Sequence, residues 1–322
     1  MQEFQLIDDV MPDVPPADSA KMMRIRAQLV DRAPRRRLPG WSRMTLAAAS
    51  VALVLIGGFV VVPGLGGGPD TATKVQDPAE ALAAAADRLA AQPPGEGAWW
   101  RREMVQITRT PAKATPSYTV EYRNPEVMWI SRDGVQRIKK KDFTAALVTP
   151  DDEQAWKEAG SPPFCESKND CQIGRIYYGP VELSVFKPVT GLPTDAEALE
   201  AEMLKRYTDP QDDRETWLWT VACQLLEDAE ITPGTRAALY RMLTKLPNVR
   251  VADGVTDLDG RTGLGLLFNS PHVLQQIIID RESGDLLAIQ RTPIRPDGSL
   301  IGELANSNVI KKLGWTDEAP KE

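Results

Sequence analysis

Two cysteines six positions apart, Cys165 and Cys171 in CESKNDC, are the strongest local chemical signal in the chain. Such a pair can close a disulfide around a polar loop, stand as two thiols, or ligate a metal. A metal would need further ligands at matching spacing, and none follows nearby. The compartment decides between the other two. Cys223 lies in the apolar text between Trp217 and Glu230 and reads as a small buried residue. His272 is the only histidine, so a Ser-His-Asp or Cys-His relay would have to use it. It falls in an NSPHV turn, without a nucleophile elbow elsewhere, and reads as a solvated side chain. The chain has no phosphate-binding G-x-x-x-x-G-K-[ST], no dinucleotide glycine fingerprint after a strand and no H-E-x-x-H. The carboxylate pairs Asp151-Asp152 and Asp212-Asp213 read as helix N-terminal charges, and nothing singles out a glycosidase pair. These residues predict no catalytic site, no metal site and no cofactor: the expectation is a protein that is not an enzyme.

The compartment follows from Met44–Val62, 19 residues without a charge. That length matches the ~20 residues a helix needs to cross a bilayer core. Thr45 and Ser50 can return their hydroxyls to the helix backbone, and Pro63 with GLGGG ends the run. A core helix of a soluble domain would show a polar stripe, which is absent here. A secretory signal would have a shorter lead and a small-residue cleavage site. More than forty residues precede this run, VVVPG at its end offers no such site, and no lipoprotein cysteine follows. The reading is an uncleaved anchor. Arg32, Arg35, Arg36, Arg37 and Arg43 crowd its leading flank, with Trp41 placed as an interfacial aromatic. The positive-inside rule puts the N-terminus in the cytoplasm and the rest of the chain outside the cell membrane. In that compartment the Cys165–Cys171 pair favours a disulfide, with free thiols as the alternative.

The 322 residues carry 42% hydrophobic and 26% charged residues and a net charge of -7. Up to Arg43, eight Lys/Arg stand against six acids, leaving 30 basic and 39 acidic residues after it. An acidic outer domain argues against nucleic acid as a partner. Residues 1–43 form a cytoplasmic segment in which Met22, Ile25 and Leu29 draw one apolar stripe on a short basic helix. That stripe fits docking to a cytoplasmic protein, contact with headgroups, or a plain juxtamembrane helix.

After the span at 44–62 and a flexible linker at 63–76, residues 77–322 are expected to form one extracytoplasmic domain. Asp77-Pro78 opens a helix, with Glu80 at the capping-box position and Pro93-Pro94-Gly95 as the stop. WWRREMVQITRT and SYTVEYRNPEVMWIS read as strands, the second turning at Asp133-Gly134 into VQRIK. Trp99, Trp100, Tyr122 and Trp129 are expected on the covered face of this sheet. Three helices follow a mixed insert. The first is capped by Thr194 with Glu197, the second carries a stripe of Leu218, Ala222, Leu225 and Ala229, and the third starts at Thr232-Pro233. VRVADGVTDL-DGR-TGLGLLFN and HVLQQIIID-RESG-DLLAIQRTP predict a four-strand antiparallel meander, with a last strand through Leu300–Ile310. The fold class is α+β: a transmembrane helix, then an antiparallel-sheet domain with a three-helix insertion.

Several phrases recur together as a layout: VPPAD before the basic helix, DPAEALAAAADRLA, EVMWISRDG, GLPTDAEAL, TPGTRAALYRML, DLDGRTGLGL and IIIDRESGDLLA. This layout, over most of the chain, resembles an uncharacterised actinobacterial family of single-pass membrane proteins. The resemblance implies a companion of an extracytoplasmic-function sigma factor, hence a membrane regulator or sensor. Zinc-type anti-sigma domains carry a His and paired Cys in the cytoplasmic segment, and Met1–Arg43 has neither. The outer domain is also similar to the curved antiparallel sheets of lipoprotein carriers. The first functional expectation is an extracytoplasmic sensing or binding domain with a regulatory link to a sigma factor through Met22–Leu29. The second is a lipid or envelope-component binding module without signalling, and the third a hydrolase built around His272.

Overall fold

A computed structural model of the chain describes residues 77–165, 186, 189–207, 213–270, 272–301 and 305–320. The chain divides into two units, Met1–Asp70 and Thr71–Glu322, and all described residues fall in the second. The span at 44–62, the arginines and Trp41 before it, and the Met22, Ile25, Leu29 stripe lie outside the described residues. Among those described, no helix is long and apolar enough to cross a membrane.

Helix α1 (Pro78–Ala90) begins where Asp77 accepts from the Ala79 N–H, with Pro78 at a position that has no hydrogen-bond duty. Its alanine-rich face buries Ala81, Leu82, Ala85, Ala86 and Leu89. Strands β1 (Trp99–Pro111) and β2 (Thr119–Ser131) pair antiparallel along their whole length. Gly134, at φ 88°, makes the expected turn into β3 (Gln136–Lys140). β4 (Thr144–Leu147) and α2 (Pro150–Glu158) follow. Thr149 and Asp152 form a reciprocal capping box on α2, and Asp151 and Asp152 are first-turn charges as read from sequence.

The helical insertion comprises α3 (Ala196–Leu204), α4 (Arg214–Asp228) and α5 (Pro233–Leu243). The cap of α3 is Asp195, one residue beyond the expected Thr194. Its carboxylate accepts from both Glu197 and Ala198 N–H, which a hydroxyl would do less strongly. Asp213 caps α4 and Thr232 caps α5. The expected α4 stripe is buried, but so are Trp219, Val221, Cys223, Gln224, Leu226 and Glu227. α4 is thus enclosed on nearly every side.

Strands β5 (Val249–Thr256), β6 (Thr262–Ser270), β7 (Val273–Ile279) and β8 (Leu286–Pro293) form the predicted meander. The last strand, β9 (Ala305–Thr316), runs later and longer than the sequence indicated. It lies between β1 and β8, so that the two runs of strands become one sheet in the order β3-β2-β1-β9-β8-β7-β6-β5, with β4 also on β2. All its pairings are antiparallel. The described domain is therefore an α+β fold built on a nine-stranded sheet with five α-helices.

The helices fill one face of this sheet. Met104, Leu264, Leu266, Phe268, Ile277, Ile289 and Ile310 pack there against α1, α3, α4 and α5, with Trp219 stacked on Phe268 at 5.1 Å. The other face holds a smaller core of Ile107, Ile278, Ala288 and Val309, covered by Val255 and Leu258 from the β5–β6 end. Arg123 of β2 donates to Asp259 at 2.6 Å, joining strands from opposite ends of the sheet order. The sheet is therefore strongly curved, with the β5–β6 turn reaching back across its second face.

The four aromatics do not share one face. Trp100 and Tyr122 stand on the helix side, whereas Trp129 is paired with Arg101 and lies on the other. Adjacent strand residues alternate sides, so Trp99 and Trp100 cannot both face the helices.

Candidate functional site

A groove of about 350 Å³ opens where β8 and β9 part. The register explains the parting. Leu287 is an extra residue in β8, since Ile278 pairs with Ala288 and Ile279 with Leu286. Lys311 is an extra residue in β9, since Glu103 pairs with Lys312 and Met104 with Ile310. The β8–β9 ladder stops at Ala288–Val309, immediately before both bulges. Bulges bend a strand and end its pairing, and here two of them face each other. Arg261, from the β5–β6 turn, reaches into the gap. It donates to Ile310 O at 2.9 Å and to Leu287 O at 2.8 Å, replacing the partners that the ladder withdrew. The buried Asp257 carboxylate holds that guanidinium, accepting from Nε at 2.8 Å.

On the helix side the groove is lined by Arg236 of α5. Arg236 is 5% exposed, and its guanidinium lies 5.1 Å above the Trp100 ring. Its Nε and Nη2 have no hydrogen-bond partner, and neither do the buried Trp100 Nε1 and Tyr240 hydroxyl. Burial pushes the Arg236 guanidinium below its ordinary value, while Tyr240 and Asp285 act in the opposite direction. An arginine stays protonated through such shifts, so the groove carries a fixed positive charge. Burial pushes the Tyr240 phenol upward, so it remains a neutral donor.

The far wall is the β7–β8 turn. Asp280 accepts from the N–H groups of Ser283 and Glu282 and from the Ser283 hydroxyl. The Ser283 N–H is the largest of the influences holding that carboxyl below its ordinary value. Gly284 adopts φ 80° and sits so close to α1 that a Cβ would come 2.4 Å from Ala85 O. Arg88 of α1 donates to Arg281 O and Glu282 O at 2.5 and 2.6 Å, fixing the turn from outside.

Comparison with family models, curated proteins and solved structures finds no match to this chain. The site therefore has to be judged on its own chemistry.

The residues singled out from sequence lie elsewhere. His272 is exposed in the β6–β7 turn, at the other end of β7 from Asp280. β7 runs between them, and eight residue steps of extended chain put roughly 25 Å between His272 and Asp280. Ser283 and the lone histidine are thus not brought together. Cys223 is a buried free thiol in α4, as expected, and burial pushes its titration upward. Cys165 does not stand as a free thiol. Its expected partner Cys171 lies outside the described residues, as do Asp212, the five arginines from Arg32 to Arg43, Trp41, Met22, Ile25 and Leu29. Among the described residues no group of three or more His, Cys, Asp or Glu side chains is placed to hold a metal.

Sequence reasoning missed Arg236 and Arg261. Arg261 read only as part of a DGR turn, because the bulges it serves are visible only in the pairing. Arg236 did leave a trace: it shares the 236, 240, 243 stripe of α5 with Tyr240 and Leu243, a charge on an apolar stripe.

A second polar centre lies under α4. Arg102, with no exposed side-chain surface, donates to Glu126 at 2.8 Å, pairs with Asp228 and stands 3.8 Å from Glu227. Asn308 of β9 donates to both Glu227 oxygens at 2.9 Å. These groups are already matched to one another and join α4 to the centre of the sheet.

Proposed function

We propose that this is a non-enzymatic, single-pass cell-membrane protein whose extracytoplasmic α+β domain binds an envelope ligand, and whose cytoplasmic segment passes that state on. The observation that carries the binding role is the groove at the β8/β9 parting, with its buried, unpartnered Arg236. A concave site with a few convergent polar groups on apolar walls is what ligand recognition requires. The anchor, Met44–Val62, and the arginines before it support the topology. The state of Cys165 agrees with an oxidising compartment, and we take Cys171 as its partner. The link to a sigma factor rests on the family resemblance and on the Met22, Ile25, Leu29 stripe. Between sensing and lipid carriage the first is favoured, because the helix-covered face is filled with core side chains.

Protease added to intact, right-side-out vesicles should degrade the domain after residue 76, while inverted vesicles should protect it. Protection in the first orientation would overturn the topology. Deleting Met1–Arg37 with the anchor retained should abolish the cytoplasmic transcriptional response. An unchanged response would remove the regulatory link.

A further inference from the structure

The fold uses the face of the Arg236 guanidinium, over Trp100, and leaves one edge unmatched. Its Nε and Nη2 form one edge of the guanidinium, the edge whose two parallel N–H bonds match the two oxygens of a carboxylate. Both are buried without a partner, and Arg236 lines the groove. Buried polar groups in folded proteins are nearly always matched, so an unmatched guanidinium edge in a groove wall calls for an acceptor from outside the chain. The remaining lining restricts what that acceptor can be. Leu286, Leu287, Ile310 and Leu313 supply apolar wall; of the two lysines that also line the groove, Lys311 is paired with Asp259 and Lys312 stands 3.9 Å from Glu318, while Asp280 and the exposed Asp285 oppose a second negative charge.

We infer that the groove at the β8/β9 parting binds a monocarboxylate with a small apolar body, its carboxylate held side-on by Arg236 above Trp100. This rests on the binding-domain reading and names the ligand class for it. Arg261 is committed to Asp257 and to two backbone carbonyls, so it shapes the groove without being the anion's partner. The volume of about 350 Å³ lies at the small end of ligand pockets. An acyl carboxylate and a peptide carboxyl terminus share this chemistry.

Calorimetric titration of the full chain in lipid nanodiscs tests it, with sodium butyrate standing for the first source and N-acetyl-leucine for the second. At least one should bind saturably at one site per chain, and the tighter of the two names the source. Inorganic phosphate and butylammonium should bind more weakly than either. Arg236→Met keeps a flexible apolar chain over Trp100 and should weaken the carboxylate about tenfold or more. Asp285→Asn should tighten it severalfold, and this surface change gives an answer even if the first variant does not fold. No saturable carboxylate binding, equal affinity in Arg236→Met, no tightening in Asp285→Asn, or a preference for phosphate would each overturn the inference. None of these outcomes bears on vesicle proteolysis, so failure here and failure of the membrane topology are told apart.

Discussion

Replacing Arg102 with Met should destabilise the described domain far more than the same change at its neighbour Arg101. The two residues are adjacent in β1 and therefore face opposite sides of the sheet. Arg102 is fully buried between α4 and the sheet, where it serves Glu126, Asp228 and Glu227. Removing one member of a buried ionic cluster leaves the others uncompensated, at a cost of about 3–5 kcal/mol. Glu227 keeps two bonds from Asn308, and Asp228 is a quarter exposed at 25%, which places the effect toward the lower end. For a domain of this size ~3 kcal/mol lowers Tm by about 6–12 °C. Arg101 pairs instead with Glu103 and with Glu318, whose side chain is 49% exposed. The Glu318 pair, open to water on one side, contributes about 0–1 kcal/mol, and Glu103 keeps Lys141 as a second cation when Arg101 is removed. Thermal unfolding of the two variants beside the parent protein measures the contrast. Adding Glu227→Leu to Arg102→Met should recover part of the loss, because it removes a carboxylate left without its cation. If Arg101→Met and Arg102→Met shift Tm equally, the assignment of the two faces is wrong. If the double variant is no more stable than the single one, the cluster is not acting as a charge-compensated unit.

Two further outcomes follow from the titration and burial of single groups. Thiol alkylation of the native, unreduced protein should leave all three cysteines unmodified, because Cys223 is buried with its thiolate disfavoured and Cys165 is not free. Denaturation without reductant should expose one reactive thiol and denaturation with reductant three, read by intact mass; two additional thiols before reduction would exclude the Cys165–Cys171 bridge. Asp280, held below its ordinary value chiefly by the Ser283 N–H, contributes stability that is fully present above the unfolded carboxyl value near ~4 and is lost as pH falls through its lower folded value. Asp280→Asn should therefore flatten the loss of stability between pH 6 and pH 3, measured as urea midpoints, and an unchanged acid slope would show that the turn carboxylate is not linked to folding.

What was readable in the sequence divides by range. Helix starts were visible because a cap needs only a side-chain oxygen and the next few N–H groups, as at Asp77 and Thr232. The hairpins were visible for the same reason, each being set by a short turn such as Asp133-Gly134. The miss at α3 shows the limit: Thr194 and Asp195 are both capping residues, and only geometry showed which oxygen meets the N–H groups. Long-range relations left no local trace. That β9 lies between β1 and β8 depends on how the two halves meet, and the groove depends on two extra residues, Leu287 and Lys311, that appear only when strands are paired. The residues with familiar chemistry, His272 and Cys223, do not line the groove, whereas arginines that looked ordinary do.

Arg236 also bears on how binding could be felt elsewhere. For the fold alone this position carries a cost, since two N–H groups of a buried guanidinium lack an acceptor and the Trp100 ring offsets only part of that. The charge becomes favourable when an anion completes it, so occupancy stabilises the bound arrangement by about 2.7 kcal/mol at a ligand concentration of 100 times Kd. That stabilisation falls on specific elements. Arg236 ties it to α5, and Leu286 and Leu287 tie it to the start of β8 beside the β7–β8 turn. The turn is locked to α1 through Gly284 and Arg88, and Arg241 of α5 pairs with Asp87 of α1. α1 is in turn the first described element after the 63–76 stretch that follows the proposed anchor. On the binding reading, a ligand in the groove therefore tightens the contacts of the helix nearest in sequence to the proposed anchor. The Gly284 contact is the narrowest link in that route: a side chain there would separate the turn from α1 while leaving Arg236, Trp100 and the groove's apolar wall in place.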